Sequence, residues 1–254
     1  MSTDQGIERA DATVDRASLR LAATLLLTGQ LLYIVVTQFH TGGPANDHPV
    51  IFGDYAGSGD WAGVHAGQFG CAALLLAGLI ALSFAVDTRA VGARWASRFG
   101  AASAVVALAL YGVLQAVDGI GNKQVDSAWV GASASDKAAR FASAESMRWL
   151  EWGARSYFDY ALGIALLLVA VAVAAARTAA IPQPIAYLMG LSGLTYLAQG
   201  WVVGTQGFSG TDTILILLAW ALSVAWMIWL VVVARRHPVD VPKPLGARMA
   251  TPHA

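Results

Sequence analysis

Six stretches of this chain contain no Asp, Glu, Lys or Arg: residues 21–39, 61–86, 99–117, 160–176, 178–211 and 213–234. A helix rising ~1.5 Å per residue needs about 20 residues to cross ~30 Å of hydrocarbon, so each run is long enough for one crossing. The fourth, which is the shortest, reaches that length by extending back through the charged segment before Tyr160. Soluble helices seldom stay apolar on every face for so long, and no two-residue alternation suited to strands runs through these stretches. A closed β-barrel is excluded for the same reason.

Composition agrees, with 57% hydrophobic residues, 13% charged residues and a mean hydropathy of +0.57. The fold class expected is all-α: a polytopic, multi-pass integral membrane protein built as a bundle of six transmembrane helices. The transmembrane domain is expected over 21–234. A cytoplasmic tail over 1–20 precedes it, and a Pro-rich tail over 235–254, too poor in apolar residues to fold, follows it.

Basic residues set the expected orientation. Eleven of the sixteen Lys and Arg lie in the tails and even-numbered loops, against Lys123, Lys137, Arg140, Arg148 and Arg155 on the opposite side. Short cytoplasmic loops collect such residues, which places both termini in the cytoplasm and the odd-numbered loops outside. In composition the chain resembles polytopic proteins of bacterial inner membranes, so the bacterial cytoplasmic membrane is the expected location.

Several function classes are disfavoured at once. Formal net charge is zero, and no basic block is interleaved with aromatics, so nucleic acid is not an expected partner. Cys71 is the only cysteine, which excludes an intramolecular disulfide and any cluster held by several thiolates. Its expected role is apolar packing. No nucleophile elbow, Gly-rich phosphate loop or H-E-x-x-H helix occurs.

The chemistry-bearing feature is a stripe. Glu151, Arg155 and Asp159 recur every four residues and share one helical face just before an apolar run. Counting back from Arg177 at ~1.5 Å per residue puts Asp159 about 27 Å away, at the outer edge of the membrane, among Trp149, Trp152, Tyr157 and Tyr160. The plainer reading is an interfacial salt-bridge anchor in which Glu151 and Asp159 both flank Arg155. Other polar residues reach the same level: His65, Gln68, Asp118, Lys123, Gln38, His40, Gln199 and Gln206. A lipid-facing surface does not tolerate such a set, so they are expected to face inward around an outward-facing polar vestibule.

His65, Gln68, Asp118, Glu151, Arg155 and Asp159 are the expected lining. The spacing of His40, His48 and His65, with Asp54, Asp60 or Asp118, also permits a metal site, although no two of these histidines are preset on one helix. Solvated His40 and His48, with His65 hydrogen-bonded in a polar core, is the plainer alternative. The function expected is binding or transport of a small polar or amphiphilic ligand. The alternatives are a membrane-embedded enzyme acting on a lipid-soluble substrate with His65 and a carboxylate, and a membrane scaffold.

Overall fold

The computed structural model describes residues 14–86, 90–178 and 180–236; among these the chain is helices joined by turns and short loops, with no strand and one isolated bridge between Val14 and Val86. Helix α1 spans Arg16–Thr37, α2 His48–Gly57, α3 Trp61–Ala85, α4 Val91–Ala116, α5 Lys123–Val130, α6 Lys137–Ala176, α7 Gln183–Gln206 and α8 Gly210–Arg236. A six-residue π-helical segment, Val117–Asn122, joins α4 to α5 without a break. Most of both expected tails, including His237 and His253, lies outside the described residues.

Local chemistry sets the helix ends. Asp15 caps α1 by accepting from the Ala17 amide and the Ser18 hydroxyl. Asp47 and Pro49 open α2, and Pro182 and Pro184 open α7. Helix α6 stops at Arg177, whose φ of 46° leaves the right-handed region.

Six long helices form a closed ring. Helix α1 packs on α3, α3 on α4, α4 on α6, α6 on α7, α7 on α8, and α8 returns to α1. Neighbours run antiparallel. Gln183 Nε2 donates to the Ala174 carbonyl at one end of the α6/α7 pair, and Ser156 Oγ donates to the Gly200 carbonyl towards the other. Between these points Gly163 and Gly193 face each other. A β-carbon on either would stand 2.7 or 2.8 Å from the other's carbonyl oxygen, so the backbones touch as small-residue packing requires. In α3, by contrast, added β-carbons on Gly63 and Gly70 would meet nothing.

Five helical segments are long and apolar enough to cross a membrane: α1, α3, the continuous Val91–Val130, α6 and α8. Helix α7, expected as a span, is not among them. Its Gln183, Ser192, Thr195, Gln199, Thr205 and Gln206 dilute its hydropathy.

Helix α6 is 40 residues long, about 60 Å at ~1.5 Å per residue, which is twice the hydrocarbon thickness. It runs on past the ring as one straight element. Against its extension pack α5 and, through α5, α2, making a small separate core of Ile51, Phe52, Tyr55, Trp61 and Ala144. Half of the connection between α1 and α3 is therefore a helix that caps one end of the ring. Lys123 holds it there by donating to the Tyr55, Ala56 and Ser58 carbonyls at 3.0, 2.9 and 2.6 Å, a cation on the carbonyl end of α2. The opposite end, where residues 14 and 236 lie, is the tail end.

Candidate functional site

Inside the ring, beneath the cap, lies a cavity of about 250 Å³. Its wall includes Tyr33 and Thr37 from α1, His40 from the turn that follows it, Gln68 from α3, Tyr111, Gln115 and Asp118 from α4 and the π turn, and Arg148, Glu151 and Arg155 from α6. Tyr33, Arg155 and Trp220 form its floor, and they also bound a second void of about 30 Å³ beneath. Of the six lining residues expected from sequence, Gln68, Asp118, Glu151 and Arg155 reach this wall. His65 stands behind Asp118, and Asp159 is fully buried behind Arg155.

The stripe does not pair as its spacing suggests. Arg155 Nε donates to Asp159 Oδ2 at 2.8 Å, but Glu151 turns away from Arg155. Its Oε2 instead accepts from Arg148 Nη1 and from Asn122 Nδ2, both at 2.6 Å. The physical reason is desolvation. Glu151 is 3% exposed, and a buried carboxylate needs every hydrogen bond it can collect, which the π turn and the preceding helical turn supply together. Glu151 and Asp159 are thus buried inside the protein, with Arg155 part-buried between them.

Arg148, missed in the sequence reading, is the most connected side chain of the cap. It is 1% exposed, donates to Tyr55 Oη at 3.2 Å and to the Ala45 carbonyl at 2.9 Å, and stacks against Phe208. Burial pushes the Tyr55 phenol well above its ordinary pKa, so it stays protonated beside the guanidinium. Lower in the ring, Arg155 Nη2 donates to Gln199 Oε1 at 3.3 Å, and Gln199 Nε2 reaches the Leu215 carbonyl. Buried carboxylates outnumber guanidiniums around this space, with Asp118, Glu151, Asp159 and Asp212 set against Arg148 and Arg155.

The π turn carries the third element. Asp118 Oδ1 accepts from Asn122 Nδ2 at 3.2 Å, which leaves Oδ2 facing two imidazoles: His65 Nε2 at 3.1 Å and His40 Nε2 at 3.8 Å. His65 comes this close because Gly119 lies against it, where a β-carbon would stand 2.8 Å from His65 Cβ. Trp61 packs on both imidazoles, its ring centre 4.4 Å from that of His65 and 5.0 Å from that of His40, and its Nε1 donates to the Asp118 carbonyl. Two of the three histidines considered for a metal are thus brought together with one of the three carboxylates. His48 is drawn away, its Nδ1 2.9 Å from Glu145 Oε1, and Asp54 and Asp60 are exposed.

Gln38 and Gln206 lie on the exposed surface and line nothing. Asn122 and Tyr55, which complete the network, went unread in the sequence. No family model, curated protein or solved structure matches this chain, and whatever it does must be derived from the chamber's own residues.

Proposed function

We propose that the chain is a six-span protein of the bacterial cytoplasmic membrane, with α7 as the sixth span and both termini in the cytoplasm. Its chamber opens outward and binds a small polar or amphiphilic ligand. One observation carries this reading: a closed ring of long helices keeps about 250 Å³ of space into which Arg148, Glu151, Arg155 and Asp118 bring charged groups. A scaffold gains nothing from such a space, because buried ion pairs are costly to desolvate and apolar packing replaces them without loss of stability. The antiparallel run of α7 between α6 and α8 supports a sixth crossing. Helices of the ring that cross its middle are unbroken, and the π turn lies at the capped end, which favours binding over alternating-access transport.

The test places a cysteine at Gln115 in a Cys71→Ala background and applies a membrane-impermeant thiol reagent to vesicles of each orientation. Reaction from the periplasmic side alone is expected; reaction only from the cytoplasmic side, or none, overturns the outward chamber. Native mass spectrometry of gently solubilised protein then looks for an adduct that Arg155→Met removes. A second reading, a membrane enzyme acting on a lipid-soluble substrate, is favoured by the meeting of two imidazoles and a carboxylate in the chamber wall.

A further inference from the structure

We propose that His40, His65 and Asp118 form a binding site for a divalent transition cation, zinc being the first choice, with its open coordination position facing the chamber. The tautomer of His65 is the decisive observation. Its Nδ1 lies 2.7 Å from the Trp61 carbonyl oxygen, which can only accept, so Nδ1 carries the hydrogen and, in the neutral ring, Nε2 carries the lone pair. That lone pair is buried and without a hydrogen-bond partner, yet it sits 3.1 Å from Asp118 Oδ2, another lone-pair donor. Two such atoms side by side, with no hydrogen bond between them, are satisfied by a shared cation, a metal ion or a proton.

The third ligand arrives from the turn after α1. His40 Nε2 is 3.8 Å from the same carboxylate oxygen, and one ligand atom from each of the three residues fits within 4.8 Å of the others. Zinc bonds of about 2.0–2.1 Å in tetrahedral array set neighbouring ligand atoms about 3.3 Å apart, so closure asks only for a small inward turn of one imidazole. His40 can supply it. It lies on the turn that follows α1, with its side chain 20% exposed, whereas His65 and Asp118 are fixed by packing.

What surrounds the three residues is also that of a metal centre. The non-ligating nitrogen of a metal-bound histidine characteristically donates to a backbone carbonyl, as His65 Nδ1 does, and ligating carboxylates are themselves hydrogen-bonded, as Asp118 is by Asn122. Trp61 supplies an apolar flank, and the π turn that carries Asp118 is a helical irregularity found most often at functional sites. His40 and Asp118 both line the chamber, so a fourth ligand, water or substrate, can come from that side. The site stands on this geometry whether or not the chamber also binds an organic ligand.

The experiment uses untagged full-length protein in nanodiscs, stripped with a chelator and titrated with Zn²⁺ against a chromogenic competitor. About one equivalent per chain is expected, as three protein ligands and one open position define a single zinc. His40→Ala and Asp118→Asn should each weaken binding at least tenfold, and Asn122→Ala by about 10–100-fold through loss of carboxylate orientation. His48→Ala should leave binding unchanged. Cobalt substitution should give visible absorption bands of a low-coordinate nitrogen and oxygen site, absent from His40→Ala; this variant lies on the surface turn and carries the test if His65→Ala fails to fold. Zinc uptake no greater than that of the His40→Ala/Asp118→Asn double variant overturns the site and leaves a proton as the cation between His65 and Asp118. Labelling of Gln115→Cys reports the chamber separately, so the two readings fail independently.

Discussion

The two ends of the ring use the same six helices to opposite effect. Towards the tails, Leu26, Leu76, Leu79, Leu166, Ile185, Met189 and Leu230 are all but inaccessible and fill the axis with apolar side chains. Towards the cap, Tyr33, Tyr111 and Trp220 replace them, polar groups replace the rest, and the axis stays open. The difference teaches how a bundle keeps a hole. The apolar end is held by close contact everywhere, whereas the open end is held by cross-links between elements: Asn122 to Glu151, Arg148 to the Ala45 carbonyl, Asn46 to the Gln206 carbonyl and Lys123 to the end of α2.

Breaking each end should therefore look different. The largest effect is expected from Gly193→Leu, because its β-carbon would meet the Gly163 carbonyl oxygen at 2.8 Å and force α6 and α7 apart. Size-exclusion chromatography after detergent extraction should show aggregation where the wild type runs as one peak. Arg148→Met comes next. It strands a buried Glu151, and chemical unfolding should register a loss of about 3–5 kcal/mol, with Arg148→Met/Glu151→Gln recovering most of it. If the double variant recovers nothing, the cap depends on the Arg148 contacts to Tyr55 and Ala45 more than on its ion pair.

At the apolar end, Leu79→Ala should cost about 2–5 kcal/mol by leaving a cavity, while thiol labelling of Gln115→Cys stays unchanged. Altered labelling there would mean that the two ends are coupled. The smallest effect belongs to the part-exposed pair at the cap's rim. His48→Ala or Glu145→Gln should cost no more than about 1 kcal/mol, as half-solvated ion pairs do.

Much of the bundle was legible in the sequence because lipid imposes one rule along its whole length: charge-free runs mark helices that need no water. The polar level was legible too, since Gln68, Asp118, Glu151 and Arg155 could only be tolerated facing inward, and the structure puts all four on one wall. What stayed hidden depends on contacts between elements far apart in the chain. His40 lies on a turn and His65 on α3, and nothing in their spacing says that their ring centres come within 5.0 Å. Arg148 was within reach, standing one turn before Glu151, but the i, i+4 rhythm of the stripe drew attention to Arg155 instead. The capping helix also left a signal, Asp47 followed by Pro49, the cap and first-turn proline of α2. The π turn left none, because Gly119 and Gly121 are as compatible with a loop as with a widened helix.

That turn shifts the helix's phase. At 3.6 residues per turn each residue advances about 100° around the axis, and one extra residue in a turn carries everything after it to a new bearing. Asp118, at the start of the π turn, looks across to His40 and to His65 of α3; Asn122 and Lys123, at its end, look to α6 and α2. A uniform helix could serve one of these bearings well. Removing a single residue, such as the exposed Ile120, would leave the wall chemically complete and aim its second half at the wrong neighbours.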